Sequence, residues 1–406
     1  MKNKLFKTIE SLELDMILLL SELISIPAIN PSDGGDGEYQ KGQFLLKKLK
    51  ELGFHEIEVY NSEDASAECG VRPNIIIRKE GKTKKRLWIV SHIDVVPEGN
   101  RSLWNTDPFK AVLKDGKLYG RGSSDNGQEL VSSIYALIAL QKNKIMPEYE
   151  ICLCMVANEE AGSEHGICHL IKQGIFDQED LVVVPDAGSS DGNFIQIAEK
   201  SICWIEFDIC GKQVHASMPN LGKNACRAAN EFSVALDKAL HNAFPEVDNL
   251  FQPPFSTFEP TRRDANVPNI NTVPGHERFC FDCRVLPTAP LEAVIKVINA
   301  EIKSFCDKLK VSISYKFIQK EQAPAPTSIN APVVDLLRNA LLQVIPKAPI
   351  IGGIGGGTCA AYFRKEGIPA VVWNQEDSVA HMPNEYAKIE HILNETKVFA
   401  LMMADL

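Results

Sequence analysis

The sequence predicts an α/β protein: a mixed central sheet flanked by helices and interrupted by an inserted α+β segment. Three observations predict it. Short apolar runs recur through the first half, and each stops at polar residues. Helical stretches stand between them, the alternation expected of a sheet covered by helices. From about Ala198 the order changes to strand, helix, strand, strand, helix, strand. A chain of 406 residues exceeds what one hydrophobic core usually organises, so two domains are expected. Their boundaries are read as 1–197 with 323–406, and 198–322.

In chain order, Leu14 to Ile26 reads as an amphipathic surface helix ending before Pro27. Asp15 and Glu22 interrupt its apolar run, which is too short to span a bilayer and too acidic for a signal peptide. A polar glycine-rich loop, Asn30 to Glu38, leads to a helix from Gln40 to Leu52, ended by Gly53. Asn74 to Arg78 and Arg86 to Ser91 read as strands. Asp115-Gly116 marks a hairpin within the loop from Trp104 to Gly122. A long apolar helix, Glu129 to Gln141, is followed by strands Ile151 to Val156 and Leu181 to Val184.

In the insertion, strands are read at Ile202 to Ile209, Phe255 to Thr261, His276 to Val285 and Val311 to Phe317. Helices are read at Asn224 to Leu240 and Leu291 to Leu309. This βαββαβ order is the split, ferredoxin-like pattern. Ala323 to Pro326 reads as a return linker. It is followed by a helix from Ala331 to Val344, a glycine loop from Gly352 to Gly357, a strand from Ala370 to Trp373 and a last helix from Ala387.

Composition excludes several classes. The apolar fraction of 45% and charged fraction of 24% are those of an ordinary soluble globular chain. A net charge of −10 argues against a nucleic-acid surface, and no basic, aromatic-interleaved stretch is present. No segment approaches membrane-spanning length. Eleven scattered cysteines do not form the two C-x2-C pairs of a structural zinc site. They read as reduced thiols of a cytoplasmic protein.

The chemistry gathers at strand ends. Val90-Ser91-His92-Ile93-Asp94 delivers a histidine and an aspartate two residues apart, hence on one face of a strand. A histidine so placed binds a metal through one ring nitrogen while a carboxylate orients the other. Asp125, Glu160, Asp186 and His381 also stand at loop or strand ends, where α/β sheets bind ligands. Each has an ordinary alternative: Asp125 as a helix N-cap, Glu159-Glu160 as an acidic turn, Asp186 as a turn former, His381 as an exposed loop residue. Their conjunction is the signal. Two imidazoles and three carboxylates suit zinc, cobalt or manganese, and five ligands suit two ions when one carboxylate bridges them.

The motifs His92-Ile93-Asp94-Val95-Val96-Pro97, Gly120-Arg121-Gly122-Ser123-Ser124-Asp125, Asn158-Glu159-Glu160-Ala161-Gly162 and His381-Met382-Pro383-Asn384-Glu385 carry a resemblance. Over nearly its whole length the chain resembles the acetylornithine deacetylase, succinyl-diaminopimelate desuccinylase and carboxypeptidase G family of two-metal amidohydrolases and exopeptidases. The resemblance implies that Asp125 bridges two divalent ions, zinc first, with cobalt or manganese as alternatives. His92 and Asp186 would complete one site, Glu160 and His381 the other. Asp94 would orient His92, and Glu159 would be the general base. The insertion would be a lid and homodimerisation domain whose His215, in Gly211-Lys212-Gln213-Val214-His215-Ala216-Ser217, stabilises an oxyanion in the partner's site. Asn266, Arg284 and the loop Gly355-Gly356-Gly357 would bind substrate.

Two departures matter. The deacylases commonly continue the glycine loop as Thr-Ser-Asp-Ala, where this chain has Thr358-Cys359-Ala360-Ala361. Asp186 stands where deacylases tend to have Glu and aminopeptidases and dipeptidases Asp. The first expectation is a deacylase of N-acetyl- or N-succinyl-type amino acids. A dipeptidase or aminopeptidase follows, and then a non-catalytic small-molecule binder. A cysteine hydrolase built on Cys359 is the most distant.

Overall fold

The computed structural model describes all 406 residues. The chain divides into two compact units. Met1–Ile197, Thr327–Ile351 and Thr358–Leu406 form the first; Ala198–Pro326 and Gly352–Gly357 form the second.

An eight-stranded mixed sheet runs, in spatial order, Ile57–Glu63, Val71–Lys79, Glu150–Val156, Arg86–His92, Leu181–Val184, Ala370–Val372, Phe194–Glu199 and Ile350–Ile354. The four strands from Glu150–Val156 to Ala370–Val372 are parallel. Their side chains are buried almost without a break, which is why they read as continuous apolar runs rather than alternating ones. Because they are parallel, their carboxyl ends share one edge. That edge carries His92, Asn158, Asp186 and Asn374.

The helix Gln128–Lys142 is buried from Gln128 through Leu140 and packs against Ile389–Ala404. An apolar surface on every side suits a helix covered on every side. Asp115 and Gly116 both take positive φ, 51° and 72°, and join the short strands Val112–Lys114 and Lys117–Tyr119 as the turn signal predicts. The last helix starts later than expected, at Ile389, because Tyr386–Lys388 first pairs with Lys117–Tyr119 as a strand. The strand Phe194–Glu199 was not anticipated.

The glycine-rich segment also differs from expectation. Gly352 and Gly353 lie within the strand Ile350–Ile354. A Cβ on Gly353 would stand 2.4 Å from the Phe251 ring, so that close approach requires glycine. Within the second unit, Lys200 N–H donates to the Ile354 carbonyl and Gly353 N–H to the Leu250 carbonyl.

The second unit is built on a four-stranded antiparallel sheet in the order Thr257–Arg263, His276–Val285, Ser201–Cys210, Ser312–Glu321. Helices Ala225–Ala243 and Leu291–Leu309 share its core, where Phe207, Phe232, Phe258, Phe279 and Phe281 are buried. Along His276–Val285, burial alternates strictly, so every second side chain faces that core and the rest form a polar face.

Candidate metal centre

The site assembles at the shared carboxyl edge of the parallel strands. His92 ends its strand and is buried. Its Nε2 lies 2.9 Å from Asp125 Oδ1 and 3.3 Å from Asp186 Oδ1. The second oxygen of Asp125 faces the other ring, with His381 Nε2 3.1 Å from Oδ2. That same nitrogen is 3.0 Å from Glu160 Oε2. Asp125 therefore stands between two imidazoles, each flanked by a further carboxylate. Glu159 joins the His92 and Asp186 side, its ligand oxygen within 4.8 Å of theirs.

Asp125 does not cap the helix, since Gly127 occupies that position and the aspartate has φ −115° in a distorted turn. The turn is held from outside. Glu385 Oε1 accepts from the backbone N–H groups of Ser124 (2.9 Å) and Asp125 (3.1 Å). Its other oxygen takes Arg121 Nη1 at 2.6 Å. Asn126 joins three loops: its Oδ1 accepts from His92 N–H, and its Nδ2 donates to the Pro185 carbonyl.

Asp94 has a part beyond the one expected of it. The nearest partner of His92 Nδ1 is the Asp94 main-chain carbonyl at 3.0 Å, with the carboxylate at 3.5 Å. That carboxylate also accepts from Glu159 N–H (3.1 Å) and Glu160 N–H (3.0 Å). One residue thus fixes a ring and the turn bearing two glutamates. Asn158, in the left-handed region at φ 61°, starts that turn, and its N–H donates to Glu38 Oε1 at 3.1 Å. Glu38 is paired through both oxygens with the buried Arg72, which also reaches Asp64 at 3.0 Å.

Electrostatics mark the cluster as incomplete by itself. Burial opposes the charge on His92, but Asp125, Asp186 and Asp94 outweigh it and raise its pKa well above the usual imidazole range. Asp125 and Glu160 push His381 up to about 10. Burial also works against Asp125, yet His381 and His92 hold its carboxyl below the ordinary range. Glu160 is pushed up to about 7, by burial first and by Asp125 second. Burial, then Asp186, raises Glu159 well above its usual value. Glu160 Oε1 is buried without a hydrogen-bond partner. Carboxylates packed together around two imidazoles, one oxygen left unpaired, fit divalent cations by donor type and by charge.

The remaining candidates lie in the second unit. His215 is exposed at the end of a two-residue strand. Its Nδ1 accepts from Ser217 N–H at 3.1 Å, which leaves Nε2 to carry the proton of the neutral ring. Asn266 donates to Glu277. Arg284 binds Asp282 through Nε (2.6 Å) and Nη2 (3.0 Å), and its Nη1 donates to the Gly355 carbonyl at 2.8 Å. Arg284 and Gly355 are therefore neighbours, whereas Gly356 has only the Ile354 side chain near its Cβ position. Cys359, in the first unit, is buried, and burial and the nearby Glu159 raise its thiol pKa well above the ordinary value. Such a thiol is a poor nucleophile.

A family model for peptidase family M20/M25/M40 matches residues 88–405. The chain belongs to this family. An uncharacterised metallohydrolase of Methanocaldococcus jannaschii is 41% identical over 95% of this chain and 98% of its own length. A succinyl-diaminopimelate desuccinylase of Wolbachia pipientis is 26% identical over 96% and 92%. Among solved structures, human carnosine dipeptidase 1 has TM-score 0.75 at 18% identity, covering 100% and 99% of the two chains. Aminopeptidase PepT of Bacillus cereus has TM-score 0.75 at 18% identity over 97% and 98%. This M20 chain is a metal-dependent hydrolase.

Sequence reasoning did not single out Glu38, Arg72, Arg121, Asn126 or Glu385 as contributors. Glu385 and Arg121 lie inside the quoted motifs, which is the one signal that could have found them; only the fold shows them as a buried ion pair. Glu38 and Arg72 carry no local signal, because their value comes from a pairing between the start of the helix Tyr39–Glu51 and the strand Val71–Lys79.

Proposed function

We propose that this M20 hydrolase cleaves a linear amide, removing an acetyl- or succinyl-type acyl group from an amino acid. The observation that carries the reading is Asp125 facing His92 with one oxygen and His381 with the other. His92 and Asp186 would hold one divalent cation and Glu160 and His381 a second, with Asp125 shared; zinc is the first choice and cobalt or manganese the alternatives. When bound, such ions polarise the amide carbonyl and lower the pKa of water to about 7. Glu159 takes the proton from the attacking water on its carboxylate and passes it to the departing nitrogen. Asp94 holds the turn that aims Glu159. His215 would offer its Nε2–H to the oxyanion, from a partner subunit of a homodimer formed through residues 198–322 acting as a lid. Asn266, Arg284, Gly355 and Gly356 are the proposed substrate contacts, and the cytoplasm the proposed location.

The desuccinylase relatives support the acyl substrate. Asp186 in place of Glu favours a second reading, a dipeptidase or aminopeptidase, as does the fold shared with carnosine dipeptidase 1 and PepT. A panel of acetyl- and succinyl-amino acids against dipeptides, with added zinc, cobalt or manganese, separates them. Acyl substrates are expected to turn over and a chelator to abolish the activity. Cleavage of dipeptides alone selects the second reading, and cleavage of neither sinks both.

A further inference from the structure

The four-stranded sheet of the second unit buries one face and leaves the other polar. On that polar face Asp208 and Cys210, two residues apart, project together from the strand Ser201–Cys210. In the neighbouring strand His276 pairs directly with Cys210, and Arg278 with Asp208. His276 Nε2 lies 2.8 Å from Asp208 Oδ2, and Cys210 Sγ lies 3.4 Å from Asp208 Oδ1. A thiol sulfur, a carboxylate oxygen and an imidazole nitrogen thus come within 4.8 Å of one another. Cys210 and His276 are both exposed, so an ion can reach them from solvent.

We propose that Asp208, Cys210 and His276 form a further metal site, selective for a borderline-soft divalent cation of the zinc class. The donor set excludes hard cations, since thiolate and imidazole together prefer zinc to magnesium or calcium. Tetrahedral zinc, with bonds of about 2.3 Å to sulfur and about 2.0 Å to nitrogen or oxygen, spaces S and O donors by about 3.5 Å and N and O donors by about 3.3 Å. The sulfur–oxygen distance already matches. That distance is to Asp208 Oδ1, whereas the imidazole stands 2.8 Å from Oδ2, so the carboxylate has to rotate to share one oxygen and the exposed ring to move out by about 0.5 Å. Three protein ligands leave the fourth tetrahedral position to water.

Binding forms a sulfur–zinc bond, breaks the Cys210 S–H bond and releases its proton to solvent. His276 binds as the neutral ring. Arg278 touches Asp208 at 3.2 Å but also lies 3.5 Å from Glu206 and 3.7 Å from Asp264. Asp208 can therefore turn to a cation without stranding that guanidinium. No sequence spacing announces this site, because strand register alone brings Cys210 and His276 together.

The test uses the purified full chain, loaded with zinc, desalted and counted by plasma mass spectrometry. Cys210→Ser and His276→Ala are each expected to retain one zinc per chain fewer than the unaltered protein. Cys69→Ser, which removes the other exposed thiol, is expected to retain the full count. Loaded with cadmium, the unaltered protein should show a thiolate-to-cadmium ultraviolet band that Cys210→Ser lacks. Equal zinc counts in all four proteins would overturn the proposal. Loss in Cys210→Ser with none in His276→Ala would overturn it too, since a lone thiol would then suffice. The count is read without substrate, so it stands apart from any result of the hydrolysis panel.

Discussion

The cluster around Asp125 and the cluster around Asp208 use similar side chains in different surroundings. Around Asp125 the turns bearing Asp125, Glu159 and Glu160, and the His92 and Asp186 strand ends, are tied at their backbone by buried polar groups. Asp94 holds the Glu159 and Glu160 amides, Glu385 those of Ser124 and Asp125, and Glu38 that of Asn158. Asn126 links the His92 strand end to Pro185. Around Asp208 cross-strand pairing and exchangeable side-chain contacts set the positions, with Cys210 and His276 exposed and Asp208 part-buried. The first arrangement fixes ligands before any ion or substrate arrives, which chemistry on a bond requires. The second can gather an ion but has nothing to aim it at.

The largest effect that would sharpen this contrast is expected at Glu159. Glu159→Gln should lower kcat by about 10²–10⁴, the usual contribution of a positioned general base. Its metal content should stay unchanged, because the proposed ligands are other residues. Activity retained at the original level would remove Glu159 as the base.

Next comes the support. Arg72→Ala leaves the buried Glu38 carboxyl without its partner beside Asn158, and breaking a buried pair in this way typically costs about 3–5 kcal/mol. Denaturant unfolding should show that loss directly. An unfolding midpoint within error of the unaltered protein would mean that Glu38 finds another partner, and the contrast in rigidity between the clusters would weaken.

How much of this was legible follows from where each signal sits. His92 and Asp94 could be placed on one strand end because their two-residue spacing fixes a common face. Leu181 to Val184 could be found because a parallel, doubly buried strand is apolar without interruption. Phe194–Glu199 escaped because Gln196 and Glu199 break its apolar run while themselves buried. The glycine run hid a strand because Gly353 serves close packing against Phe251 rather than a turn. Glu38–Arg72 and Cys210–His276 had no local pattern, since each contact is made only when the chain folds back on itself.

A subtler change tests the backbone ties one at a time. Asp94→Asn keeps one carbonyl oxygen and replaces the other with an amide nitrogen, so either Glu159 N–H or Glu160 N–H loses its acceptor. Substitutions just behind metal ligands usually reduce metal affinity or activity by about 10–100-fold. Competition with a chelator measures the affinity. An unchanged affinity, with Glu160 as a proposed ligand on that turn, would show that the turn keeps its shape without Asp94.

The smallest effect is expected at the Asp208 cluster. In metal-free buffer Cys210→Ser exchanges an exposed thiol for a hydroxyl on a polar sheet face. It opens no cavity, and a serine hydroxyl can still donate to Asp208. Surface changes of this kind usually alter stability by less than about 0.5 kcal/mol. With saturating zinc the comparison changes, because an ion that binds only the folded state stabilises that state by mass action. The unaltered protein should then resist denaturant more than Cys210→Ser, while the two unfold together without zinc. A difference already present without zinc would mean that the thiol supports the strand pair itself, and the two clusters would then differ less in their anchoring than their burial implies.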